Sequence, residues 1–181
     1  MLLTGLLPDI TTDPAIETAI DSVEAGRSGT IVAPVGIRPP LLAAVASRAA
    51  TPLVVLTATG RDAELLTNAL ASWIPGVAML PAWETLPHER LSPQVDTMAR
   101  RIAVLRRLVH PITGDDSAGP MSVLVVPIRA FLQPIISGLA DLEPVRVRTG
   151  DILDLTETTN RLAELGYERV DMVEGRGQMS V

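Results

Sequence analysis

Apolar positions along this chain alternate between helical spacing and short continuous runs. Ile16, Ala19, Ile20 and Val23 recur at helical intervals behind Asp13-Pro14 and stop before Gly26. That pattern predicts a helix with Asp13 as N-cap and Pro14 in its first turn. The compact run Thr30-Ile31-Val32-Ala33-Pro34-Val35 predicts a buried strand, and Gly36-Ile37-Arg38-Pro39 leads into a second helix from Pro40 to about Ala49. Pro52-Leu53-Val54-Val55-Leu56-Thr57 reads as the next strand. Residues 61–73 read as an amphipathic helix with Leu65, Leu66, Ala69, Leu70 and Trp73 on one face, closed by Pro75-Gly76. Val77-Ala78-Met79-Leu80 is a short third strand. A proline-marked stretch, 81–93, then opens at Ser92-Pro93 into a long helix reaching about Leu108. Its predicted inner stripe is Val95, Met98, Ile102, Leu105 and Leu108, with Arg100, Arg101, Arg106 and Arg107 largely off it. After a polar loop, Ser122-Val123-Leu124-Val125-Val126-Pro127 is the fourth strand.

Nearly all-apolar strands alternating with helices predict an α/β fold, with a parallel sheet flanked by helices on both faces. Residues 1–130 form this first domain. Beyond Phe131 the pattern changes. Val145-Arg146-Val147-Arg148 alternates with period two, a short helix begins near Thr156 and closes at Gly166, and Tyr167–Val173 reads as a strand. Gln178-Met179-Ser180-Val181 starts another strand. Residues 131–181 are therefore expected to be an incomplete small α+β domain.

Composition narrows the chemistry more by what is missing than by what is present. The chain has no Cys and no Lys, and all 15 basic side chains are Arg. Thiolate and Schiff-base catalysis are thereby excluded. Only His88 and His110 could supply imidazole, so no metal site is expected. A net charge of −6 and an aromatic content of 2% disfavour a general nucleic-acid surface or a base-stacking platform. No apolar run is long enough to span a bilayer, and no basic n-region opens the chain, so a cytoplasmic protein is expected.

Four places invite a functional reading. The junction Ala33-Pro34-Val35-Gly36-Ile37-Arg38-Pro39-Pro40 occupies the position of a phosphate-binding loop. Such a loop needs glycines for backbone approach, a Lys for the outer phosphates and a hydroxyl for the metal. Here Gly36 is followed by Ile37 and Arg38, so the site reads as degenerate and no bound cofactor is expected. The stretch 81–93 gathers Trp83, Glu84, His88, Glu89 and Arg90. A general base is conceivable there, but no nucleophile accompanies it, and the plainer reading has Trp83 pinning the loop to the core. The Arg set of the long helix either touches nucleic acid or an acidic partner, or is a solvated face. Arg146, Arg148, Arg169 and Arg176 suggest a docking surface, because the planar guanidinium pairs with carboxylates in two-point contacts.

The stretch Leu80-Pro81-Ala82-Trp83-Glu84-Thr85-Leu86-Pro87-His88-Glu89-Arg90-Leu91-Ser92-Pro93, followed by Arg100-Arg101-Ile102-Ala103-Val104-Leu105, resembles the N-terminal region of the bacterial transcription-repair coupling factors. Val125-Val126-Pro127 with Leu132-Gln133-Pro134 is similar to the family's next strand and helix start. Gly166-Tyr167-Glu168-Arg169-Val170-Asp171 matches both that family and the related excision protein UvrB. The resemblance implies a truncated UvrB-homology module: a UvrB-like domain 1a with an empty nucleotide site, then a domain that recruits UvrA. It implies that RNA polymerase and DNA are engaged by parent regions not present in this chain. It likewise implies that ATP and Mg are used by a downstream translocase motor. Arg169 is the residue implied to touch UvrA. Further contact arginines of the family follow the Arg-Gly turn, where this chain has Ser180 and then ends. The alternatives are a nucleotide-binding UvrB-like subunit and a small-molecule α/β enzyme using His88 and Glu89.

Overall fold

A computed structural model describes residues 2–85, 93–115, 117–175 and 177–181. A short 3-10 turn, Thr4–Leu6, leads into helix α1 (Leu7–Thr11) and then α2 (Pro14–Glu24). The Asp13 side chain caps α2 by accepting from the amides of Ala15 and Ile16, which fulfils the capping pattern. Helix α3 (Arg38–Arg48) follows, then strand β1 (Leu53–Thr57), α4 (Gly60–Leu70), β2 (Val77–Met79), α5 (Val95–Val109), β3 (Val123–Pro127) and the single turn α6 (Ile128–Phe131). Strands β1, β3 and β2 lie in that order in one parallel sheet, with Val54 opposite Leu124 and Leu56 opposite Val126. The expected α/β architecture with a helix-flanked parallel sheet is thus present.

Strand alternation sorts the core into two layers. Val123 and Val125, with Leu53, Val55, Val77 and Met79, face α1–α4 through Leu7, Ile20, Ala43, Ala44, Ala63 and Leu70. On the opposite face Ala78, Leu80, Leu124 and Val126 meet Val104 and Leu105 of α5 and Ala130 of α6. That second layer stops short of β1. Val54 and Leu56 point to the same face yet remain 51% and 48% exposed.

Several expected elements take another form. Residues 30–34 form no strand and Val35–Ile37 is a 3-10 turn, because a strand requires a hydrogen-bonded neighbour and this segment has none. Residues 145–148 are likewise unpaired. The strand expected over 167–173 contracts to β4 (Glu168–Arg169), which pairs in parallel with β5 (Gln178–Met179). Earlier in the chain, α7 (Leu155–Glu164) is capped by Asp154 rather than Thr156, through the amide of Glu157. The buried stripe of α5 is Thr97, Arg101, Val104 and Leu105, while Val95, Met98 and Leu108 are exposed. Arg101, expected off the stripe, is its most deeply buried member, at 1% exposure. In α4, Leu65 is exposed and Ala63 takes its place in the core.

Candidate functional site

A cleft of about 430 Å³ opens at the carboxyl ends of β1, β2 and β3, between Thr59, Met79 and Pro127. This edge is where open parallel sheets hold their ligands, since the loops leaving each strand converge there. Arg100, Arg129, Glu64 and Glu84 supply its charged groups. These charges balance, and among the described residues the lining holds no His; its two hydroxyls, Thr59 and Thr97, each donate to a carboxylate. Thr59 caps α4 by accepting from the amide of Asp62 and donating to its carboxylate, so the helix start already has a negative partner.

One wall is the segment Pro81–Glu84, held by four side chains. Arg101 donates from Nη1 to the Pro81 carbonyl (2.6 Å) and lies over the Trp83 ring. Gln133 accepts from the Trp83 amide (2.8 Å) and donates to the Trp83 carbonyl (3.3 Å). Arg129 donates to the carbonyl of Glu84 (3.2 Å). Glu84 accepts a hydrogen bond from the Thr97 hydroxyl in the first turn of α5. That bond holds the Glu84 carboxyl below its ordinary value, opposed by partial desolvation and aided by backbone amides and Arg100. Trp83 thus does pin the segment, as its plainer reading held. The exposed Glu84, open to a general-base reading, is tied to a helix start. His88, Glu89, Arg90 and the expected cap Ser92 lie outside the described residues.

The remaining sequence candidates separate in space. Gly36 and Ile37 belong to the 3-10 turn and Arg38 is the first residue of α3. No strand precedes them, so the strand-loop-helix layout of a phosphate loop is missing its first part. The long-helix arginines have unlike tasks. Arg106 reaches the carbonyl of Leu142 (3.1 Å), Arg107 the carbonyl of Gly119 (3.0 Å), and only Arg100 faces the cleft. Arg146 lies 3.9 Å from Asp115, whose carboxyl is held low mainly by the Ser117 hydroxyl and then by nearby backbone amides. Arg148 is exposed, with its backbone amide bound by Asp151 (2.7 Å). Arg169 stands exposed on β4 and has no hydrogen-bond or ion-pair partner among the described residues. Arg176 lies outside the described residues. Sequence reasoning missed Gln133 and Thr97, whose roles depend on contacts across the fold rather than on any local pattern.

No helix among the described residues is long and apolar enough to cross a membrane. No family model matches the chain. Curated relatives do. The transcription-repair-coupling factor of Mycobacterium tuberculosis is 46% identical over 155 residues, covering 84% of this chain and 12% of that protein. The Escherichia coli protein of the same name is 26% identical over 140 residues, covering 76% of this chain and 12% of its own length. That of Myxococcus xanthus is 31% identical over 109 residues, covering 59% of the chain and 8% of the relative. This chain therefore spans only about an eighth of the relatives it matches. With 46% identity sustained over 84% of its residues, the chain belongs to the transcription-repair-coupling factor family.

Proposed function

We propose that this chain is a non-catalytic docking module of transcription-coupled nucleotide excision repair, presenting a surface that recruits UvrA. The observation that carries the reading is Arg169. It projects from a two-residue strand with both residues exposed, and no side chain among the described residues neutralises it. Exposed Tyr167, Met172 and Val173 flank it. Arg, Tyr and Met are the side chains enriched where protein partners meet, because they combine broad contact area with a polar or adaptable tip. The parent protein's ATP-driven translocation, RNA polymerase displacement and DNA contacts belong to the same proposal and lie outside this chain, as does its use of ATP and Mg in the cytoplasm.

The absence of catalysis is supported by the cleft's chemistry. Arg129 is engaged by the Glu84 carbonyl and the Glu84 carboxylate by Thr97 at a helix start, and Gly36-Ile37-Arg38 supplies neither a Lys nor a hydroxyl. The test is calorimetric titration of the chain with UvrA. Saturable binding that Arg169→Ala weakens supports the reading. Affinity unchanged by that substitution removes Arg169 from it.

A further inference from the structure

We draw no further inference here: the strongest candidate, the apolar patch on the α5 side of the sheet where α6, with Ile128 and Phe131 exposed, meets the half-exposed Val54 and Leu56 of β1, carries nothing because nothing in the structure shows what covers it.

Discussion

The guanidinium carbon of Arg101 sits 4.5 Å from the centroid of the Trp83 ring, and the same side chain holds the Pro81 carbonyl. A buried cation is costly to desolvate. Here burial lowers the guanidinium pKa from its ordinary value, and no carboxylate among the described residues compensates it. The ring face and one carbonyl take that part, and Nε finds no hydrogen-bond partner among the described residues. This pair is what makes the Pro81–Glu84 segment a wall of the cleft rather than a loose loop.

Arg101→Ala is expected to destabilise the chain by about 2–4 kcal/mol, since it opens a cavity and strands the Pro81 carbonyl. Arg101→Met refills most of the volume without a charge and recovers a good part of that loss. Chemical denaturation followed by tryptophan fluorescence measures both. Equal losses for Ala and Met would mean that the cation itself, not the filling of the site, is what stabilises.

Glu84 makes stability depend on acid in a defined direction. Its folded pKa lies below the ordinary value of 4.5, so the carboxylate's contribution is complete above that value. It is lost as pH falls through the folded pKa. Thr97→Val removes the leading cause of the shift. The variant should lose about 1 kcal/mol at neutral pH and almost nothing once the carboxyl is protonated. Melting curves from neutral to acid pH should therefore converge for parent and variant. Parallel curves would rule out the Glu84–Thr97 bond as their source.

Gly76 adopts φ +74°, and an added Cβ would meet the Pro120 carbonyl oxygen, the Ser122 amide nitrogen and the Ser122 hydroxyl, each at 3.0 Å. The Gly76 carbonyl also accepts from the Ser122 amide at 2.8 Å, locking the entry to β2 beside the entry to β3. Gly76→Ala is expected to cost about 2–4 kcal/mol, through backbone strain and displacement of this junction. A melting temperature within a degree or so of the parent would show that the junction yields freely.

Nucleotide should leave the chain unmoved. A ligand that binds only the folded state raises the melting temperature in proportion to its occupancy. Millimolar ATP with Mg is therefore expected to produce no shift. A concentration-dependent rise would favour a nucleotide-binding reading over a docking one.

The sequence was informative where a local signal sufficed. Asp13-Pro14 announced the start of α2, and the apolar runs ending at Thr57, Leu80 and Pro127 announced the three strands of the main sheet. It misled where the outcome depends on a distant partner. Thr30–Val35 has the composition of a strand, yet a strand is a pairing, and the neighbour is not encoded within those six positions. On α5, helical spacing permitted more than one buried face. Trp83 and the Pro81 carbonyl, both far along the chain, turned the Arg101 face inward. The cleft was legible only in outline: strand ends could be counted, but Gln133 holding both backbone groups of Trp83 could not be foreseen.

The docking reading stands on Arg169 of β4, whose guanidinium has no partner among the described residues. Binding of UvrA to the parent chain and to Arg169→Ala, measured side by side by calorimetry, addresses it directly. Saturable binding is predicted, weakening by roughly thirtyfold or more in the variant, the effect of losing one well-placed charged contact worth about 2 kcal/mol or more. Equal affinity of the two chains, or no binding by either, would contradict it.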